Sequence, residues 1–159
     1  MNQLSTSAST PRIAVVSASW HAEIVGQARQ SLRAELERLG HPPDQVDEFE
    51  VPGAFEIPLH AQRLARSSRY QAIVACGLVV NGGIYRHDFV AAAVIDALMR
   101  VQLDTEVPVF SVVLTPLNFH EHEEHQRYFR KHFVKKGQEA AQACLKTLNA
   151  LRRLDSLSA

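Results

Sequence analysis

Short apolar runs alternate along the chain with longer segments in which apolar residues recur every three or four positions. The runs are typical of strands, and the recurring pattern is typical of helices that bury one face. The predicted strands cover 12–17, 46–51, 71–80 and 107–114. The predicted helices cover 24–39, 55–66, 89–101, 120–131 and 134–153.

This alternation predicts an α/β fold, in which a parallel sheet with right-handed crossovers carries helices on both faces. The runs 71–80 and 107–114 indicate strands buried on both faces, whereas the half-polar run 46–51 indicates a sheet edge. Gly40 is predicted to stop the first helix. On the third helix, one apolar stripe is predicted from Phe89, Val90, Ala93, Val94, Ala97, Leu98 and Val101.

Composition narrows the class of protein. The 159 residues predict a flexible tail over 1–10 and a single domain over 11–159. Lysine plus arginine and aspartate plus glutamate both number 17, and this balance argues against nucleic acid or an anionic membrane as partner. Neither a signal peptide nor an apolar run of about 20 residues is found, so we expect a cytoplasmic protein. Cys76 and Cys144 lie in apolar contexts and are predicted to be buried free thiols.

Three turns follow the first three strands, at 17–21, 51–58 and 81–88. The carboxyl ends of parallel strands share one edge of a sheet, so these turns are predicted to converge on a site. Gly82 and Gly83 precede a helix and suit either an anion such as phosphate or simply a tight turn. The turn matches neither a Walker loop nor a dinucleotide-binding loop.

Two side chains in the first two turns have alternative interpretations. Glu56 would either stabilise the start of a helix or accept hydrogen bonds from substrate hydroxyls. Trp20, the only tryptophan, would either pack in the core or a subunit interface, or stack on a planar heterocycle.

A histidine-rich segment over 120–125 invites a metal hypothesis. Its spacing departs from the zinc-binding pattern H-E-x-x-H, because Glu124 stands where the second histidine belongs. We therefore predict no metal site and interpret the segment as a solvated or interface helix.

Several of these motifs together resemble the lumazine synthase family. The resemblance rests on Val51-Pro-Gly-Ala-Phe-Glu-Ile-Pro58, the aromatic residue after the first strand, the Gly-Leu-Val-Val-Asn-Gly-Gly turn at 77–83, His87-Asp-Phe-Val90 and Thr115. It covers roughly residues 11–153. Tryptophan at position 20 and Ile-Tyr-Arg-His-Asp after the glycines are similar to a divergent, type II branch.

The resemblance implies a flavodoxin-like three-layer α/β/α sandwich with a four-stranded parallel sheet. It also implies pentamers with active sites between subunits, and no metal or organic cofactor. The implied reaction condenses a ribitylamino-uracil with 3,4-dihydroxy-2-butanone 4-phosphate, releases phosphate and gives dimethyl-ribityl-lumazine.

The resemblance also implies roles at matched positions. Trp20 would stack on the pyrimidine. The ribityl arm would contact Ala54, Phe55 and Glu56. Backbone groups for the pyrimidine would come from Leu78, Val79 and Val80. Phosphate would be bound by N–H groups of Gly83 and Ile84.

Three departures from the family pattern affect these roles. Arg86 stands where most members have a histidine proton shuttle, and His87 is the adjacent alternative. The family's phosphate-binding arginine, given by the neighbouring subunit, matches His125 without gaps, but Arg127 or Arg130 could replace it after a short insertion. Ser111 replaces an aromatic residue near the middle of the fourth strand.

Two rival functions remain open from the sequence. One is a flavin- or lumazine-binding paralogue without catalysis, which the substituted shuttle position favours. The other is a flavodoxin-like electron carrier, for which Ser17-Ala-Ser19 would be a sparse phosphate loop.

Overall fold

The computed structural model describes residues 10–80, 86–115 and 123–157, with only the backbone described at 123, 125 and 126. The strands are β1 (Ile13–Ala18), β2 (Val46–Val51), β3 (Ala72–Leu78) and β4 (Val109–Leu114). The helices are α1 (Ala22–Arg38), α2 (Ile57–Arg66), α3 (His87–Thr105) and α4 (Glu123–Asp155). Short 3-10 turns cover Pro43–Gln45 and Ala54–Glu56. Of the predicted tail only Thr10 is described, so the tail stays a prediction.

All four strands pair in parallel in the order β2-β1-β3-β4. Every residue of β1 and β3 is buried, as expected of central strands covered on both faces. In β2 only the terminal residues Val46 and Val51 are buried, and the strand forms an edge, as its half-polar sequence predicted. The predicted α/β, flavodoxin-like fold class with four parallel strands is confirmed.

Two hydrophobic cores lie on opposite faces of the sheet. Ile13 and Val15 of β1 point into a core shared with α1 and α4, and Ala14 and Val16 point into a core shared with α2 and α3. This alternation follows from the two-residue period of a strand. Consecutive residues of one strand therefore hold both helical layers.

The ends of the first two helices follow the sequence signals. α1 ends at Arg38, and Gly40 takes a left-handed φ of 91°, the conformation in which glycine commonly terminates a helix. Pro58 lies in the first turn of α2, where its missing N–H costs no helical hydrogen bond.

Three details of the prediction were wrong. β4 is the second edge rather than a fully buried strand, since only Val112 and Val113 of its residues are buried and Ser111 is exposed. The buried residues of α3 are Ala91, Val94, Leu98 and Val101, so the predicted stripe holds for the last three, whereas its Phe89 and Ala93 are exposed because apolar residues cover more of α3 than the core can bury.

The third correction concerns the C-terminal region. The two predicted helices over 120–131 and 134–153 form one helix from Glu123 onward. Neither glycine nor proline separates them, and Phe133 at the junction is fully buried in the core beneath α1. Residues 120–122 lie outside the described residues.

Both cysteines are buried free thiols, as predicted. Burial raises the pKa of Cys76 and of Cys144 to about 12, because the apolar surroundings disfavour a thiolate. Neither thiol therefore has the reactivity of a nucleophile near neutral pH.

α1 and α4 approach each other closely at Gly137. A Cβ atom at this position would overlap the carbonyl oxygen of Ala28 and would lie 2.9 Å from Cβ and Oγ of Ser31. The Ser31 hydroxyl donates a hydrogen bond to the carbonyl oxygen of Val134 across the same contact. The pairing of these helices thus depends on a residue without a side chain.

We expect Gly137→Ala to lower the free energy of unfolding by about 1–3 kcal/mol, the usual cost of overpacking. This cost should exceed the roughly 1 kcal/mol that alanine gains over glycine in helix propensity. Gly26→Ala in α1 is the matched control, because no atom lies within 4 Å of its added Cβ, and it should stabilise the protein slightly. Urea unfolding measures both variants, and a Gly137→Ala protein as stable as wild type would contradict the close contact.

Candidate active site

The turns after β1 and β2 are joined by backbone hydrogen bonds at the carboxyl edge of the sheet. The N–H of Ser19 donates to the carbonyl oxygen of Val51 at 2.8 Å, and the N–H of Trp20 donates to that of Pro52 at 3.0 Å. The Ser19 hydroxyl also donates to Pro52, at 3.2 Å. Two of the three predicted turns are thereby brought together, while residues 81–85 of the third turn, which was predicted over 81–88, lie outside the described residues.

Trp20 is not a core residue, since 63% of its surface is exposed. Its six-membered ring lies against the backbone of Gly53 in the neighbouring turn, where a Cβ atom would be only 2.6 Å from Cε3. Packing within the chain's own core, one of the alternatives for this residue, is therefore excluded. The exposed indole is available to a ligand or a neighbouring subunit.

The second turn presents a phenyl ring and a carboxylate side by side. Ala54 is buried, whereas Phe55 is 67% exposed and Glu56 is also exposed. The N–H of Gly53 donates to Oε2 of Glu56 at 2.9 Å, which gives this carboxylate a local capping role. Within the described chain no hydrogen bond to Oε1 is recorded, so capping and binding of a substrate hydroxyl are compatible.

The carboxyl end of β3 lies beside these two turns. Leu78 and Val79 are buried and Val80 is half-buried. The N–H of Val79 already donates to the carbonyl oxygen of Leu114 at 2.9 Å. A ligand at this position must therefore use backbone groups other than the Val79 N–H.

The start of α3 holds a paired arginine. Arg86 donates from Nε and Nη2 to the two carboxylate oxygens of Asp88, at 3.2 and 2.9 Å, and its guanidinium carbon lies 4.5 Å from the centre of the Phe89 ring. The hydrogen bond to Asp88 raises the pKa of Arg86, and in return lowers the pKa of Asp88. Arg86 is thus a permanently charged donor, and His87 next to it is half-buried.

The remaining predicted residues are dispersed within a single chain. Ser111 lies opposite Ala75 of β3, and β3 separates its strand from β1. Arg127 is exposed near the start of α4, whereas Arg130 donates to Glu23 of α1 at 2.9 Å. Gly83 and Ile84 lie outside the described residues, as does the side chain of His125.

Two cavities flank the sheet at opposite ends. A groove of about 680 Å³ runs beside the second turn between Pro52, Phe55 and Arg63. A cavity of about 820 Å³ opens at the opposite edge, between Pro11, Tyr70 and Leu151, and no predicted site residue lines it. Cavity size alone therefore does not locate the candidate site.

Sequence reasoning missed two residues of this region. Asp88 and Gly53 lie within the motifs described above, but the sequence did not predict which residue each of them contacts. A carboxylate two residues after an arginine was the available signal for the first. The contact of Gly53 with Trp20 joins two turns 33 positions apart and leaves no local signal.

The described residues of the chain contain no cluster of three or more histidine, cysteine, aspartate or glutamate side chains arranged to hold a metal. Within the same residues, no helix is both long and apolar enough to cross a membrane.

A parallel α/β sheet with aromatic and carboxylate side chains at its carboxyl edge defines a flavodoxin-like protein with a small-molecule site. Residues 10–152 match the family model described as 6,7-dimethyl-8-ribityllumazine synthase. The chain belongs to this family.

Relatives support this assignment over most of their length. A 6,7-dimethyl-8-ribityllumazine synthase of Rhodococcus erythropolis is 67% identical over 143 residues, which cover 90% of this chain and 92% of the relative. Proteins named 6,7-dimethyl-8-ribityllumazine synthase 2 from Bradyrhizobium diazoefficiens and Pseudomonas syringae pv. tomato are 61% and 57% identical. These alignments cover 90% and 93% of this chain, and 86% and 87% of the relatives.

Proposed function

We propose that this chain condenses 5-amino-6-(D-ribitylamino)uracil with 3,4-dihydroxy-2-butanone 4-phosphate to give 6,7-dimethyl-8-ribityllumazine and phosphate, in riboflavin biosynthesis. The observation that carries the proposal is the pair of exposed rings, Trp20 and Phe55, beside Glu56 at the carboxyl edge of a chain of this family. Family membership argues against the electron-carrier alternative.

The proposed chemistry needs alignment and proton transfer rather than a strong nucleophile. The aromatic amine of the uracil attacks the ketone, water leaves to form a Schiff base, phosphate is eliminated, and the ribityl-bearing nitrogen closes the ring with loss of a second water. Holding both substrates together supplies much of the rate, because aligned pairs reach effective molarities of about 10⁵ M or more. Trp20 stacks on the pyrimidine, and the ribityl hydroxyls contact the turn of Ala54, Phe55 and Glu56.

Arg86 is proposed to stabilise the departing phosphate rather than to shuttle a proton. The guanidinium is charged near neutral pH, and Asp88 accepts from Nε and from one N–H of Nη2, so Nη1 and the second N–H of Nη2 are available to an anion. His87 remains the alternative proton carrier. N–H groups of Gly83 and Ile84 complete the phosphate site in this proposal.

Arg127 is the best-supported phosphate ligand from the neighbouring subunit. Arg130 is bound to Glu23 of its own chain, whereas Arg127 is exposed. His125 stays a candidate by alignment, and Ser111 stays a candidate contact at the sheet edge. The domain boundary at residue 11 and the cytoplasmic location stay predictions.

An outer face of α3, defined by Phe89, Ile95, Met99 and Leu103, is proposed to pack against a neighbouring chain in a pentamer. These four apolar side chains are exposed, whereas Ala91, Val94, Leu98 and Val101 of the same helix are buried. A contiguous apolar surface of this kind marks an interaction site.

The proposed reaction is tested by mixing the purified protein with both substrates and following the fluorescence of the lumazine product. We expect product formation that requires the protein and both substrates. Binding of the pyrimidine without turnover would instead support the non-catalytic paralogue.

The role of Arg86 predicts a graded series of variants. Arg86→Ala should lower the rate by about 10²–10³-fold, the usual loss for one electrostatic donor, and Arg86→Lys should retain part of the activity. Arg86→His should introduce a titration near pH 6.5, with activity falling as the imidazole loses its proton.

His87→Ala is the control for this series. If His87→Ala lowered the rate strongly and Arg86→Ala lowered it only slightly, proton transfer by His87 would replace the role given to Arg86. If neither variant slowed product formation tenfold, catalysis would rest on proximity alone.

Assembly is predicted to depend on the outer face of α3. Light scattering should give at least a pentamer for the wild type, and Met99→Glu should lower the mass because it places a charge in the contact. Asn149→Glu, on an exposed position of α4, is the matched control and should not change the mass. A wild-type monomer would contradict the shared-site proposal.

A further inference from the structure

The backbone conformation at position 53 does not require glycine. Its φ of −131° and ψ of 178° are extended values that any residue adopts. Its N–H donates to Glu56, a bond that a residue with a side chain could also make. A glycine at this position therefore needs another explanation.

The space beside Gly53 is occupied by Trp20. A Cβ atom would lie 2.6 Å from Cε3 and 2.7 Å from Cζ3 of the indole, far inside the 3.5–4.0 Å of a normal carbon contact. It would also lie 3.2 Å from Oε2 of Glu56. The bare backbone of Gly53 is thus in contact with two of the side chains assigned to the substrate.

Trp20 has little freedom to move away by shifting its backbone. Its N–H is bonded to Pro52, the residue before Gly53, and the N–H of Ser19 is bonded to Val51. These bonds fix the separation of the two turns. The side chain at position 53 therefore decides how close the indole lies to the second turn.

We infer that Gly53 is a positioning residue that sets the distance between the Trp20 platform and the Glu56 carboxylate, and so selects a planar ring that carries a hydroxylated arm. The inference rests on the proposed function, in which Trp20 binds the pyrimidine and Glu56 binds the ribityl chain. A methyl group at position 53 displaces the indole. The distance between Trp20 and Glu56 then no longer fits a pyrimidine that carries a ribityl chain.

Gly53→Ala tests this positioning in the full-length assembled protein. We expect the KM for the ribitylamino-uracil to rise by about 5- to 150-fold, the range of one base–aromatic stack, with little change in the KM for the butanone phosphate. The intrinsic emission of Trp20, the only tryptophan, should also shift without ligand. Gly26→Ala, which adds a methyl group in open space, should change neither quantity.

A double variant separates positioning from misfolding. Trp20→Phe removes the six-membered ring of the indole that overlaps the added methyl group, so Gly53→Ala should cost less pyrimidine affinity in the Trp20→Phe background than in wild type. Equal losses in both backgrounds would overturn the inference. Unchanged Trp20 emission in Gly53→Ala would also overturn it.

The inference and the proposed function fail in different ways. If emission shifts but pyrimidine affinity does not, Gly53 positions Trp20 but Trp20 is not the platform, which overturns the substrate-selecting part of the inference. If wild type makes no lumazine, the reaction is wrong, while the emission and pyrimidine-binding measurements still decide the positioning role.

Discussion

Burial of β1 and β3 on both faces is the constraint on which the rest of the molecule depends. Each of these strands must supply apolar side chains to two cores at once, which requires a helical layer on either side. Right-handed crossovers place α2 and α3 on one face and α1 on the other, where α4, which follows the last strand, packs beside α1. The same connectivity sends every turn that follows a strand to one edge, so the position of the site is a consequence of how the core is filled.

The size of the buried residues determines how closely the site turns approach the sheet. The core facing α2 and α3 contains many alanines. Gly77 of β3 has no side chain, so Ile57 and Ala54 lie close to the backbone of the strand. A Cβ atom at Gly77 would lie 3.3 Å from Ile57. The turn that carries Phe55 and Glu56 therefore packs close to the carboxyl edge of the sheet, beside the turn of Trp20.

Features with a local signal could be predicted from the sequence, and features that depend on side-chain placement could not. The strands, the edge position of β2 and the convergence of the first two turns follow from hydrophobic period and topology. The predicted stripe of α3 was correct for Val94, Leu98 and Val101 but wrong for Phe89 and Ala93, because apolar residues cover much of this helix and periodicity cannot tell which of them meet the core. Side-chain rotamers decide two other features, which a linear pattern does not encode. These are the pair of hydrogen bonds between Arg86 and Asp88 and the contact of Trp20 with Gly53.

The pairing of Arg86 with Asp88 bears on how catalysis proceeds in this chain. A histidine at this position would exchange protons near neutral pH, whereas a guanidinium keeps its charge there, and this one contacts Asp88 and Phe89. Such a group stabilises developing negative charge without itself reacting. If Arg86 has the proposed role, proton movements in the condensation fall to His87, to the substrates' own amine and phosphate groups, or to water. In the proposed mechanism, catalysis relies more on preorganised charge and on the alignment of two bound substrates than on a titrating side chain.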